Sequence, residues 1–366
     1  MANISIGIVG LPNVGKSTLF EALTAVSVPA ENYPFCTIDP NVGIVEVPDD
    51  RLHRVAATGD PDEVTPAVVE FVDIAGLVEG ASRGEGLGNK FLQNIREVDA
   101  VAQVLRCFRE GSVARVGGGD PLDDLETVRT ELCLADLEVV ASRLEKLDKR
   151  SRVGERGAEA EARVLRRIES RLDAGEPARR EPLEPEDRRL LRSLNLLTLK
   201  PEMYVLNVDE DAAAGDTPEV ERIHDAIRQR DPDAVVVPVS ARLEAEIVHL
   251  DLDERREYLE LVGLRESGLH RLVTAGYRLL GLLTFFTMND NEARAWTLPV
   301  GGTAEEAAGR VHSDFQEHFI RAETIQWDEL VASGSLQAAR KAGKVRAEGR
   351  DYVVRDGDVL LFRTGA

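Results

Sequence analysis

Three observations predict an α/β fold for this 366-residue chain. Short runs of Val, Ile and Leu alternate with stretches of helical spacing through the first half. The runs are nearly continuous in apolar character, as strands buried on both faces of a parallel sheet are. A glycine-rich segment joins the first run to the first helical stretch, an apolar strand before it and an amphipathic helix after it.

In order, Ile4 to Val9 reads as a strand ending at Gly10. Ser17 to Thr24 is helical, with Leu19, Phe20 and Leu23 on one face. Further β-rich runs are Gly43–Val47, Val68–Val72, Val101–Leu105, Met203–Val208 and Val235–Val239. From about Leu125 to Lys200 the composition shifts to Arg, Glu, Leu and Ala. Leu137, Val140, Leu144 and Leu147 step by three and four, as do Val164, Ile168 and Leu172, so two amphipathic helices are expected with a turn at Gly154/Gly157. From Arg143 to Lys200 there are 16 Lys/Arg against 12 Asp/Glu. That surplus fits either a solvated helical hairpin or a projecting arm that meets a polyanionic partner. After Gly281, strands are expected at Leu282–Phe286, Ala295–Leu298, Tyr352–Val354 and Val359–Phe362, the last following the turn Asp356-Gly357-Asp358. The domains expected are a first part over 1–127, a helical insertion over 128–200, a second part over 201–280 and a small α+β domain over 281–366.

Charge and cysteine content narrow the function classes. Lys plus Arg number 45 and Asp plus Glu 66, a net charge of −21. This argues against broad nucleic-acid binding through a basic face, though not against a local patch. Three cysteines are too few for a secreted disulfide framework. No apolar run approaches the ~20 residues of a membrane helix, and the N-terminus lacks a basic leader. A cytoplasmic protein with no membrane partner is expected.

Gly10-Leu-Pro-Asn-Val-Gly-Lys16-Ser17-Thr18 matches the P-loop, G-x-x-x-x-G-K-[ST]. Its glycines let backbone N–H groups of Asn13, Val14, Gly15 and their neighbours converge on phosphate oxygens. Lys16 would bridge the β- and γ-phosphates, and the Ser17 hydroxyl would ligate Mg²⁺. Two further elements complete a nucleotide switch. Asp73 ends an apolar run and opens Asp73-Ile-Ala-Gly76, where Asp73 would hold the Mg²⁺ shell and Gly76 would offer its N–H to the γ-phosphate. Thr37, in Tyr33-Pro-Phe-Cys-Thr-Ile38, is a third Mg²⁺ candidate, with Thr18 and a purely structural role as its competitors.

The base is read from a later strand. Guanine is recognised by Asn-Lys-x-Asp, but here Asn207-Val208-Asp209-Glu210 follows Met203–Leu206. Val208 replaces the lysine, and Glu210 carries its carboxylate one methylene farther out. A site that loses this pairing loses its preference for guanine, so ATP is expected over GTP. Ser240 and Ala241 follow the next strand, where a backbone N–H would approach the base. Leu77 stands where a water-positioning Gln is usual and cannot orient water. Slow hydrolysis follows unless another group assists. Arg83 and Arg115 are candidate arginine fingers or plain surface residues, and Asn13 is a candidate for holding K⁺ beside the phosphates.

These segments resemble the Obg-like ATPases, the YchF group. The resemblance runs through Gly10–Thr18, Asn32–Thr37, Asp73–Asn89 and Asn207–Glu210, then Arg294–Thr297, His312–Phe315, Phe319–Glu323 and Asp351–Asp358. It implies a Ras-like P-loop domain with an inserted α-helical coiled-coil arm, followed by a small β-grasp (TGS) domain. It also implies ATP hydrolysis with Mg²⁺ on Ser17 and Thr37, ribosome association, and a role in translation or stress regulation. Some relatives place a catalytic His where Arg115 stands, so that role is not carried over. A binding module with vestigial hydrolysis, contacting ribosome or RNA, and a GTPase with a degenerate base element are the alternatives. His312 with Asp314 reads as a fold-specific hydrogen bond, and Trp296 and Trp327 as packing rather than RNA stacking. Cys36 is taken as inert unless redox-sensitive.

Overall fold

The computed structural model describes residues 4–27, 41–75, 87–109, 119–152, 157–215 and 217–365. The chain begins β1 (Ser5–Val9), α1 (Lys16–Ala25), β2 (Val42–Glu46), α2 (Asp50–Ala56), β3 (Glu63–Thr65), β4 (Val68–Asp73), α3 (Leu87–Glu97) and β5 (Ala100–Cys107). Helices α4 (Pro121–Arg152), α5 (Ala158–Asp173) and α6 (Pro185–Leu191) follow. Then come β6 (Glu202–Val208), α7 (Pro218–Arg230), β7 (Val235–Val239), α8 (Ala241–Ile247), α9 (Leu252–Leu261) and α10 (Gly268–Leu279).

The first sheet has the order β2-β4-β1-β5-β6-β7. Ile6, Ile8 and Phe71 are fully buried and pack with Leu19 of α1, Ile95 of α3 and Leu272 of α10. On the other face Leu105, Tyr204 and Leu206 pack with Leu125 of α4 and Ile223 of α7. Burial on both faces explains the unbroken apolar runs. One strand departs from the expected parallel arrangement. β2 runs antiparallel to β4, pairing Glu46 with Val68 and Val42 with Val72. The excursion through α2 and β3 leaves and re-enters the sheet at the same end, which forces that direction.

The helix α4 is 32 residues long, about 48 Å at 1.5 Å per residue. Leu125, Val128 and Leu132 face the sheet core, whereas Val140, Leu144 and Leu147 meet Val164, Leu165 and Ile168 of α5 in a separate core. Gly157, at φ 93°, starts α5 in the left-handed region that favours glycine; Gly154 lies outside the described residues.

Asp136 locks the root of this arm. Its carboxylate is fully buried and accepts from Leu197 N (2.9 Å), Thr198 N (2.8 Å) and Thr198 Oγ1 (2.7 Å). Burial pushes its carboxyl above the ordinary value, and the Thr198 and Leu197 donors pull it back.

The C-terminal part comprises β8 (Leu282–Met288), β9 (Glu292–Pro299), α11 (Ala304–Val311), α12 (Ser313–Glu317), β10 (Phe319–Gln326), α13 (Trp327–Ser333), α14 (Leu336–Lys341), β11 (Arg346–Glu348) and β12 (Asp358–Thr364). Its sheet order is β11-β10-β12-β8-β9-β3. The edge strand β3 comes from the first part of the chain and pairs parallel with β9, Thr65 beside Arg294. Tyr352–Val354, expected as a strand, forms only an isolated bridge between Val353 and Thr303. Tyr352 instead turns its hydroxyl to Asp358 Oδ2 at 2.8 Å. His312 Nδ1 accepts from Asp314 N at 3.1 Å and caps α12. Trp296 donates to Thr287 Oγ1 and lies near-parallel to Phe285, and Trp327 lies under Arg54.

Replacing Asp136 with Ala strands two buried N–H groups and a hydroxyl. The expected loss is roughly 3 kcal/mol in chemical denaturation, with Asp136→Asn losing less because one acceptor survives. Equal losses for the two variants would count against this account of the arm root.

Candidate functional site

The segment from Gly10 to Gly15 leaves β1 and enters α1. A Cβ at Gly10 would stand 2.9 Å from the Val104 carbonyl oxygen. Gly15 has φ 86°, and a Cβ there would stand 2.1 Å from Asn207 Nδ2. Both glycines are therefore required by close approach, and Gly15 also by its backbone conformation. Asn13, at φ 65°, turns the loop apex. The first turn of α1 has no acidic residue and no side-chain cap. Its N–H groups and the positive end of its dipole are left to an anion.

Lys16 Nζ contacts Asp73 Oδ1 at the end of β4, where Asp73 lies in register with Ile8. Ser17 is exposed in the first turn of α1, and Thr18 is half-buried. The charge of the loop and the carboxylate of the D-x-x-G segment thus lie side by side. Thr37, Gly76 and Arg115 lie outside the described residues, as do Cys36, Leu77 and Arg83.

A cleft of about 550 Å³ opens beside the loop, lined by Gly15, Thr18, Phe108, Val208, Glu210 and Ala241 among others. Asn207, only 5% exposed, spans it. Its Nδ2 donates to Val14 O at 2.8 Å, and its Oδ1 accepts from Ala241 N at 3.0 Å. Both ends of the amide are thus engaged with backbone, and the Ala241 N–H, expected to approach the base, donates to the Asn207 side chain. Ser240 Oγ caps α8, accepting from Leu243 N. Val208 is buried with Val220 and Ile223. Glu210 opens a 3₁₀ turn, and its carboxylate lies 3.4 Å from Arg242 Nε.

Two family models match the chain. Residues 5–136 match "50S ribosome-binding GTPase", and residues 282–365 match YchF-GTPase_C, "Protein of unknown function (DUF933)". A protein of Escherichia coli O157:H7 called "Ribosome-binding ATPase YchF" is 48% identical over 97% of this chain and 98% of its own length. One of the same name from Bacillus subtilis is 47% identical over 98% and 99%. A solved structure, that of the Schizosaccharomyces pombe YchF GTPase, superposes with a TM-score of 0.88 at 34% identity, covering 99% of this chain and 98% of that one.

The chain belongs to the YchF family. In this YchF chain the α/β P-loop fold and helical arm are as the sequence predicts. Among the described residues no helix is long and apolar enough to cross a membrane. The structure adds two cleft residues, Phe108 and Arg109, and the buried Arg106 beside them, that sequence reasoning passed over. Phe108 lines the cleft, Arg106 lies over its ring, and Arg109 N donates to Asp209 Oδ2 at 3.1 Å. Their signal was the Arg106-Cys-Phe-Arg109 run closing an apolar strand, polar and aromatic where the strand should already have ended.

Gly15→Ala forces a methyl group into the Asn207 amide at a backbone angle that L residues avoid. Triphosphate affinity should fall by about a hundredfold or more, measured by titration of the purified variant. An affinity within threefold of the unsubstituted chain would show that the loop does not need this contact.

Proposed function

We propose that this YchF-family chain is a Mg²⁺-dependent P-loop ATPase, slow in turnover, that acts as a nucleotide switch and docks on the ribosome. The observation that carries the reading is the phosphate loop held at the Val14 carbonyl by Asn207, with Lys16 and Asp73 in contact beside it. The curated names of its relatives, "Ribosome-binding ATPase YchF", support both halves of the proposal.

In this scheme the N–H groups of Asn13 to Thr18 grip the β- and γ-phosphates, and Lys16 neutralises their charge. Among the described residues no three His, Cys, Asp or Glu converge as a metal cage. Mg²⁺ needs none, because it takes a carboxylate or two, phosphate oxygens and water. Ser17 supplies a hydroxyl and Asp73 a carboxylate of the right chemistry, and Thr37 is the third oxygen assigned to it. Mg²⁺, when bound, would neutralise charge developing on the phosphates. The Gly76 N–H is assigned to the γ-phosphate. Arg115 and a K⁺ at Asn13 are the two candidates for the remaining positive charge. A higher rate in K⁺ than in Na⁺ would select the ion, and an equal rate the arginine.

The base end favours adenine. Guanine recognition needs a short carboxylate aimed at N1–H and N2–H₂. Glu210 is one methylene longer and lies beside Arg242. Val208 stands in the cleft lining where the lysine would be, and its short, buried side chain supplies no stem to lie along the ring. The similarity to a solved structure called a YchF GTPase makes the base the point to test.

ATP is expected to outcompete GTP for the purified protein by about tenfold or more. Glu210→Asp should narrow that ratio about fivefold or more; an unchanged ratio would sink the base-reading argument. Substituting Val208 is the poorer test, since a lysine there would be buried. Sedimentation with ribosomes in ATP and in ADP checks the switch: equal pelleting in both would leave a nucleotide-independent binding module.

A further inference from the structure

The run Arg106-Cys107-Phe108 has no part in the scheme above. Arg106 is 5% exposed at the end of β5. Its Nη1 donates to the Asn13 carbonyl oxygen at 3.3 Å. Its guanidinium carbon stands 4.5 Å from the centre of the Phe108 ring. That ring lines the cleft, and its Cε1 lies 3.7 Å from where a Cβ on Gly15 would be. One side chain therefore reaches the phosphate loop through Nη1 and lies over an aromatic ring of the cleft.

Each contact has a directional consequence. A trans peptide is planar, so the Asn13 carbonyl and the Val14 N–H point in opposite directions. Drawing that carbonyl toward β5 aims the Val14 N–H into the loop's concave side, where phosphate oxygens would lie. The second contact fixes the ring. A guanidinium stacked on an aromatic face is favourable when desolvated, and its fixed plane lets it donate from its edge at the same time. A lysine ammonium on a flexible stem has no planar face to lay on the ring.

We propose that Arg106 is a positioning residue for nucleotide, coupling the grip on the phosphates to the ring that packs against the base. It touches no substrate atom itself and acts through Val14 and Phe108. The proposal rests on reading the cleft as a nucleoside triphosphate site. It goes beyond that reading by making the two ends of the site energetically dependent on one another.

Arg106→Ala would remove the charged donor from a loop carbonyl and endanger the fold, so the test variant is Arg106→Lys, with the uncharged Arg106→Gln as the second. Each is compared with Phe108→Ala and with the corresponding double substitution. The ligands are a non-hydrolysable ATP analogue and inorganic triphosphate, both with Mg²⁺. Arg106→Lys should weaken the analogue about tenfold and triphosphate no more than about threefold. In the Phe108→Ala background the same change should cost the analogue no more than about twofold, because the coupled partner is already gone. Losses equal for the two ligands and additive with Phe108→Ala would show a merely structural arginine and overturn the proposal. So would an Arg106→Lys variant that binds the analogue as the unsubstituted chain does. A folded, unsubstituted chain that binds neither ligand overturns the reading of the cleft, and this proposal with it, before any variant is measured.

Discussion

The carboxamide of Asn207 donates to the phosphate loop at Val14 and accepts from the start of α8 at Ala241, and the geometry of the cleft depends on that pair of bonds. An amide supplies both the donor and the acceptor at one position. A carboxylate has no donor for the Val14 carbonyl, and an aliphatic side chain would leave two buried backbone groups unpaired at roughly 1–3 kcal/mol each. The consequence runs into the loop through the planar peptide. With the Val14 carbonyl drawn outward, the N–H of Gly15 turns inward. The amide leaves no room for a Cβ at Gly15, so the glycine is the necessary complement of the asparagine. The phosphate loop is therefore shaped as much by a residue on β6 as by its own glycines.

The same logic of a few directional contacts joins the C-terminal sheet to the P-loop domain. Arg51 on α2 pairs with Asp49 and Asp356, while Asp356 accepts from Thr284 N at 2.9 Å. Those carboxylates raise the Arg51 guanidinium further above its already high ordinary value, and the same arginine holds the Asp356 carboxyl below its own. β3 completes the joint by entering the second sheet as its edge strand, with Thr65 Oγ1 donating to Glu292 at 2.7 Å. β2 lies between Thr37 and this joint in sequence, so the residue proposed for Mg²⁺ is one strand removed along the chain from the attachment of the C-terminal sheet.

What was legible in the sequence follows from how local each constraint is. The P-loop needs particular residue types at fixed spacing, so Gly10 to Thr18 announced itself. The central strands were legible because burial on both faces leaves an unbroken apolar run. β10 was missed because Phe319–Gln326 carries Arg321 and Glu323 outward and hides Ala322 and Thr324 inward, a pattern too polar for a buried strand. β3 has three residues, too few for any period. The role of Arg106 was out of reach for a different reason. Its partner Asn13 is 93 residues away, and nothing local distinguishes an arginine that reaches a loop carbonyl from one that reaches water.

The arm shows why a charge surplus read from composition needs its geometry. Much of the basic character between Arg143 and Lys200 is spent within the arm or at its root. Arg143 pairs with Glu161, Arg166 with Asp148, Arg167 with Glu181 and Asp187, Arg171 with Glu181, and Arg179 with Glu202. Pairs of this kind cancel at distances beyond their own separation. With a Debye length of about 8 Å at physiological salt, an approaching polyanion senses only the nearest charges and very little of the net −21. The overall acidity is thus no obstacle to the proposed docking, and the arm's small surplus is no guarantee of it. Whatever contact the arm makes must depend on the particular cations that reach its surface along a helix of 32 residues, about 48 Å long.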